Sequence, residues 1–146
     1  MTSDAERADI LVRALQASLL GDRSTLTALY TEDVKAWTPA LSAGSLAELL
    51  DELERRDDAF SGVELDVSPL VVRGDYACAE WTVTMTHSGD LALRDAESVP
   101  ATGVRVTVNG VTVAEFDGDR ICALRQYWDE LAVYEQLGLI GDSTEP

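Results

Sequence analysis

The sequence is poor in the residues that metal centres and phosphate-binding loops require. It has one histidine, His87, and two cysteines, Cys78 and Cys122, in 146 residues. A single histidine and the absence of a CxxC pair argue against a zinc site. A glycine-rich phosphate loop and the G-x-S-x-G turn of serine hydrolases are also missing. We therefore expect neither a metal nor an organic cofactor.

Basic residues and long apolar runs are scarce as well. Lysine and arginine number 11 against 27 acidic residues, which gives a formal net charge of −16. Such a surface repels phosphate backbones and anionic lipids, so we expect no nucleic-acid or membrane partner. No apolar run reaches the roughly 18 residues of a membrane-spanning helix.

The cysteines and the N-terminus both suggest a reducing compartment. Cys78 and Cys122 each fall in a predicted strand, where free, buried thiols are favoured over a disulfide. The first residues are polar and acidic, without the basic and apolar segments of a secretory signal. We therefore expect a cytoplasmic protein.

What the sequence does contain is enough apolar material for one domain, predicted to span residues 1–146. Hydrophobic residues make up 46% of the chain, and its length suits a single core. The first third of the chain has helical periodicity. Ser3 with Glu6 forms a capping box for a helix that ends near Gly21. A short helix over 24–30 follows, and a third helix begins after Ser45.

From Gly62 onward the apolar period changes to two, which is typical of strands. Arg73-Gly74-Asp75 and Asp117-Gly118-Asp119 are predicted turns. The apolar positions switch from even to odd numbers at Asn109-Gly110. A β-bulge within one long strand explains the switch, and a two-residue hairpin turn is the alternative.

Helices that precede a run of antiparallel strands indicate the α+β class. Three helices packed on the concave face of a strongly bent antiparallel sheet would enclose a cone. The chain shows no internal repeat, linker or low-complexity segment.

Five short motifs follow one another along the chain: Ala28-Leu29-Tyr30-Thr31-Glu32-Asp33-Val34, Thr86-His87-Ser88-Gly89, Ala101-Thr102-Gly103-Val104-Arg105-Val106, Asp117-Gly118-Asp119-Arg120-Ile121, and Tyr127-Trp128-Asp129 with Glu135-Gln136-Leu137-Gly138-Leu139. With these motifs the sequence resembles the SnoaL-like polyketide cyclase family of the nuclear-transport-factor-2-like (ketosteroid-isomerase-like) superfamily. The resemblance covers roughly residues 8–140.

The resemblance implies a homodimer with a conical pocket for a small molecule. It also implies acid–base chemistry without a cofactor, of the polyketide-cyclase or isomerase kind, in which an aspartate acts as base. Asp129 matches that aspartate. The histidine that family members carry on the preceding strand aligns near Glu115 and is therefore missing.

Asp129 is the predicted catalytic residue. A carboxylate in an apolar pocket beside Tyr127 and Trp128 would have its pKa raised towards neutrality, as a general base requires. The alternative is that Asp129 caps the helical segment that begins at Glu130. Arg125 and Tyr127 share its strand face and would bind substrate oxygens. For Arg125 the alternative is a structural salt bridge.

The remaining candidates are one carboxylate and several aromatic residues. Glu115 would face Asp129 from a neighbouring strand, or else lie on the surface. Tyr30 and Trp37 are predicted pocket aromatics, whereas Trp81 is predicted to be core. His87 is either an acid–base group or an exposed loop residue.

These features predict a pocket for an apolar, carbonyl-bearing small molecule and a cofactor-independent acid–base enzyme. The alternative is a non-catalytic ligand-binding or dimerisation module with the same cone.

Overall fold

The computed structural model describes residues 2–57, 59–91 and 98–140. Met1 and residues 141–146, which the predicted domain includes, lie outside this part. The helices are α1 (Asp4–Leu20), α2 (Arg23–Leu29), α3 (Leu46–Asp57) and α4 (Glu130–Gln136). The strands are β1 (Tyr30–Trp37), β2 (Ser42–Ala43), β3 (Phe60–Arg73), β4 (Tyr76–His87), β5 (Arg105–Asp117) and β6 (Arg120–Trp128).

The N-terminal helix forms where its caps predict. The Ser3 hydroxyl accepts a hydrogen bond from the Glu6 N–H at 3.1 Å, which satisfies one of the free amides of the first turn. Gly21 ends α1 in the left-handed conformation, with φ of 68°. Arg7 then ties α1 to the sheet, because its guanidinium donates to the carbonyl oxygens of Gly74 and Gly118 in two hairpin turns.

The strands form one sheet in the order β2-β1-β6-β5-β4-β3. The long strands β3 to β6 pair antiparallel, whereas β1 pairs with β6 in parallel. Helix α1 packs against β3, and α3 packs against β1. The predicted α+β fold, with N-terminal helices on a bent sheet, is confirmed. The parallel pair is a detail that the sequence did not predict.

The predicted bulge at Asn109-Gly110 is wrong. The β4–β5 register runs without a shift from Tyr76↔Glu115 to Thr86↔Arg105, so β5 is one regular strand and the hairpin alternative is excluded too. The apolar positions switch because Gly110, Thr112 and Ala114 occupy the inner face. Gly110 is required there, since an added Cβ would clash with the Trp81 ring. Val111 and Val113 consequently point outward.

Candidate functional site

A cavity of about 160 Å³ lies between the helices and the inner face of the sheet. Its volume is similar to the roughly 150 Å³ of an apolar cavity that holds a benzene ring. Most of the lining is apolar and comes from α1, α3, α4, the long strands and the segment between β4 and β5: Leu15, Leu19, Leu53, Phe60, Val63, Leu65, Trp81, Val83, Met85, Leu91, Val108, Trp128 and Val133. A space of this volume suits one six-membered ring with small substituents.

Three polar side chains interrupt this apolar lining: Ser18, Gln126 and Glu130. Glu130 is the only carboxylate among the lining residues that the structure describes. The indole N–H of Trp128 donates to Glu130 Oε2 at 2.8 Å, which holds the half-buried carboxylate in place. Trp128 is in turn packed edge-on against Trp81, with 6.1 Å between ring centroids.

Helix α4 places Glu130 because both of its ends are anchored. At its start, Asp129 Oδ1 accepts a hydrogen bond from the Ala132 N–H at 3.1 Å. At its end, the Gln136 amide accepts from the Thr107 N–H and donates to the Thr107 carbonyl oxygen, each at 2.8 Å. Strand β6 pairs with β5 only as far as Gly110, so Gln136 takes the place of the missing strand at Thr107.

Ser18 connects the cavity to a buried tyrosine. The Ser18 and Tyr30 side chains are hydrogen-bonded, and burial raises the pKa of Tyr30 to about 12. Tyr30 is 1% exposed and does not itself line the cavity. The Tyr30 hydroxyl therefore contacts Ser18, which does line the cavity.

The structure does not bring Asp129 into the cavity. Its side chain is exposed and caps α4, which is the alternative that the sequence left open. The catalytic role predicted for Asp129 depended on a pocket position, and the next residue, Glu130, occupies that position. Strand β6 ends at Trp128, so the turn into α4 decides which of the two carboxylates points inward.

Arg125, Tyr127 and Trp37 also lie away from the cavity. Arg125 and Tyr127 pair with Val113 and Val111 of β5, so these side chains share the outer face of the sheet. Trp37 joins them, with its ring centroid 5.4 Å from that of Tyr127. Trp37 and Tyr127 are 42% and 48% exposed.

Glu115 belongs to the same outer face. It follows Val111 and Val113 in the alternation of β5 and accepts a hydrogen bond from the Tyr76 hydroxyl at 3.4 Å. Its placement corresponds to the surface alternative. Cys78 is likewise outward and exposed, so the expectation that it is buried is wrong; both cysteines are free thiols, as predicted.

The inward residues were recognisable from the alternation of β6. Leu124 is buried, so Gln126 and Trp128, two and four positions on, share its inner face. The prediction followed the odd-numbered polar strip of Arg125 and Tyr127 instead. Trp81, predicted to be core, is both buried and part of the cavity wall.

His87 is fully buried at the end of β4, so the alternative of an exposed loop histidine is wrong. Its Nδ1 accepts from the Thr102 N–H at 3.2 Å and lies 2.9 Å from the Thr102 hydroxyl. The ring does not line the cavity. It therefore joins the end of β4 to the segment before β5.

Residues 9–137 match the family model of the SnoaL-like polyketide cyclases. The chain belongs to the SnoaL-like polyketide cyclase family. The match covers all the elements that build the cavity except the first turn of α1. The family binds small molecules, and a mostly apolar cavity of this size is consistent with a small ligand. Among curated proteins, none matches the chain in sequence.

Solved structures share the fold of this SnoaL-like chain at low identity. TsrD from Streptomyces laurentii is 21% identical, with 96% of this chain and 100% of that chain covered and a TM-score of 0.80. AclR from Streptomyces galilaeus is 23% identical, with 96% and 89% covered and a TM-score of 0.78. A LEH-like epoxide hydrolase of M. tuberculosis is 18% identical, with 92% and 90% covered and a TM-score of 0.70.

Two further features concern partners and ions. Within residues 2–57, 59–91 and 98–140, none of the helices has the length and apolar character needed to cross a membrane. The same residues contain no cluster of three histidine, cysteine or acidic side chains arranged to hold a metal ion.

Proposed function

We propose that this protein is an enzyme that acts on a small molecule and removes a proton from the carbon next to a carbonyl group, with Glu130 as the base. The observation that carries the proposal is the position of Glu130, a carboxylate held by Trp128 at the wall of an otherwise mostly apolar cavity. An apolar wall keeps water away from a carbanion, and a positioned general base contributes about 10²–10⁴ in rate.

The proposed step is the removal of an α-hydrogen as a proton. Glu130 Oε2 accepts the Trp128 indole N–H, and Oε1 takes the proton from the substrate. The electron pair of the broken C–H bond forms the C=C bond of an enolate, and the carbonyl oxygen becomes negative. Return of the proton to a different carbon gives isomerisation. Attack of the enolate carbon on a second carbonyl of the same molecule closes the ring, and the alkoxide formed from that carbonyl takes the proton from Glu130.

Cyclisation and isomerisation share this first step, so the test measures the step itself. Cyclohexanone fits the cavity volume, and its α-hydrogens exchange with solvent through an enolate. In D₂O we expect the protein to accelerate the loss of the α-hydrogen NMR signal, and we expect Glu130→Gln to slow this exchange by about 10²-fold or more.

Glu135→Gln is the matched control, because it makes the same charge change at an exposed position of the same helix. It should leave the exchange rate unchanged. If the wild-type protein binds cyclohexanone and related monocyclic ketones without accelerating exchange, the alternative of a non-catalytic ligand-binding module is favoured instead.

We also propose that the protein is a homodimer that pairs through an outer patch, defined as Trp37, Val111, Val113, Arg125 and Tyr127. Two aromatic rings and two valines form this patch on the open face of the sheet, where the helices do not cover them. Aromatic residues and arginine are enriched at protein interfaces.

A further inference from the structure

A buried polar group joins three neighbouring strands beneath the cavity. Thr112 of β5 is fully buried and lies directly opposite Gln126 of β6. The indole N–H of Trp81, from β4, donates to Thr112 Oγ1 at 2.8 Å. The amide of Gln126 contacts the same oxygen at 3.1 Å, with its nitrogen as the donor. Gln126 also lines the cavity, so the end of its amide that does not contact Thr112 is available to a ligand.

The number of hydrogen-bond donors and acceptors around Thr112 decides which end of the Gln126 amide faces the cavity. A threonine hydroxyl has one hydrogen to donate and two positions to accept, and an indole N–H can only donate. With the Gln126 nitrogen against Thr112, the hydroxyl accepts twice, and its own hydrogen has no acceptor in the described part of the chain. An unpaired donor at a fully buried position is costly.

The two ends of a glutamine amide have nearly the same shape, so turning the amide by half a rotation keeps the 3.1 Å contact and reverses its direction. Thr112 then accepts from Trp81 and donates to Gln126 Oε1. The Trp81 indole N–H, the Thr112 hydroxyl and Gln126 Oε1 then all have hydrogen-bond partners. Both N–H groups of Gln126 are left for the cavity.

We propose that Gln126 presents its NH₂ group to the cavity and selects ligands with an acceptor oxygen, with Thr112 as the positioning residue. This inference rests on the proposed function for its chemistry, because the oxygen that Gln126 would bind is the carbonyl whose α-proton Glu130 removes. Donors aimed at that oxygen stabilise the negative charge that it gains in the enolate. The ligand class is therefore a neutral, ring-sized ketone or enone.

The test uses cyclohexanone, which accepts hydrogen bonds and donates none. In the infrared spectrum of the bound ketone, we expect the C=O stretch to fall below its frequency in cyclohexane. Gln126→Met removes the amide at similar side-chain length, and Gln126→Glu replaces the donors with a carboxylate that only accepts. Both variants should return the frequency towards the cyclohexane value and weaken binding about three- to tenfold.

Thr112 is tested through the same frequency, which a merely structural role would not move. In Thr112→Val the Gln126 amide loses its partner and its fixed direction, so the C=O stretch should rise although Thr112 does not touch the ligand. Thr112→Ser keeps the hydroxyl and should restore the wild-type frequency. Should Thr112→Val fail to fold, the Gln126→Met and Gln126→Glu spectra still test whether the Gln126 amide donates to the ligand.

An equal C=O frequency in the wild type and Gln126→Met would overturn the proposal, and so would a failure of the wild type to bind cyclohexanone. The exchange experiment separates this inference from the proposed function. A lowered frequency without α-hydrogen exchange keeps the role of Gln126 and removes Glu130 as a base. Exchange that depends on Glu130, together with a C=O frequency that does not change in Gln126→Met, keeps Glu130 as the base and removes the role of Gln126.

Discussion

At the scale of single residues, Tyr30 shows how a polar group is kept inside the core. Its ring is 1% exposed, and its hydroxyl is hydrogen-bonded to Ser18. Burial disfavours the phenolate, which raises the pKa of Tyr30 from the usual 10 to about 12. The stability that comes with the buried, neutral ring is therefore fully present below pH 10 and is lost as pH rises towards 12, because a tyrosine in the unfolded chain ionises first.

This pKa gives a prediction for alkaline solution. Between pH 10 and pH 12 the unfolded chain releases the Tyr30 proton while the folded chain retains it, so the free energy of unfolding should fall as pH rises. The slope from this group should approach about 1.4 kcal/mol per pH unit. Denaturant unfolding at a series of pH values measures it. Tyr30→Phe should remove this part of the slope, and an unchanged slope would contradict the assignment.

The neighbours Asp129 and Glu130 show what residue patterns could and could not predict about the site. Asp129 of the Trp-Asp segment was expected to lie in the pocket, but strand alternation stops at Trp128. The direction of the next two side chains depends on how α4 begins, and Asp129 is a good N-cap residue. A pattern of period two carries no information across such a junction.

At the scale of secondary-structure elements, the end of α4 is anchored to the sheet by one polar side chain. The Gln136 amide pairs with both backbone groups of Thr107 at 2.8 Å, beyond the point where β6 stops. Both of these groups would otherwise lack a strand partner on that side. The orientation of α4, and with it the position of Glu130, therefore depends on a residue outside the cavity.

Gln136→Glu tests this anchor. The carboxylate can still accept from the Thr107 N–H but cannot donate to the Thr107 carbonyl oxygen, so one bond is replaced by repulsion. We expect a loss of about 0.5–1.5 kcal/mol in the free energy of unfolding and slower cyclohexanone exchange, measured by denaturant titration and NMR. Glu135→Gln on the same helix is the control. Wild-type exchange in Gln136→Glu would show that α4 does not need this anchor.

Strand β5 illustrates the limit of reading elements from apolar positions. The switch at Asn109-Gly110 predicted a bulge, yet the register stays regular. Trp81 covers Gly110, and Thr112 receives the indole hydrogen bond, so small and polar residues occupy inner positions. Val111 and Val113 lie in the outer patch, which we propose is covered by a second copy of the chain.

At the scale of the whole molecule, net charge opposes the proposed dimer while the outer patch favours it. Each chain carries a formal charge of −16, so two copies repel one another. Salt screens this repulsion, since the Debye length is about 10 Å at 0.1 M and 3 Å at 1 M. Apolar contacts within the patch are not weakened by screening.

We therefore expect the dimer to become tighter as sodium chloride is raised, which sedimentation equilibrium measures directly. Val113→Glu within the outer patch should shift the protein to monomers. Leu20→Glu is the matched control, because it adds the same charge at an exposed apolar position at the end of α1, outside the patch. If the wild-type protein stays monomeric at every salt concentration, the proposed homodimer is wrong.

The overall fold was predictable because its signals are local and repeated. Capping residues, the change of period at Gly62 and two glycine turns each agree with the α+β arrangement, and the family motifs add the order of the elements. The parallel pairing of β1 with β6 joins segments far apart in the chain, and no local pattern specifies it.

The central claim is that Glu130, and not Asp129, is the base. The most direct measurement is the rate of α-hydrogen exchange of cyclohexanone in D₂O for Glu130→Gln and Asp129→Asn, side by side. Asparagine remains a good N-cap, so α4 should be preserved in Asp129→Asn. The structure predicts an exchange rate about 10²-fold or more lower in Glu130→Gln and close to wild type in Asp129→Asn. The opposite pattern, with exchange lost only in Asp129→Asn, would contradict it.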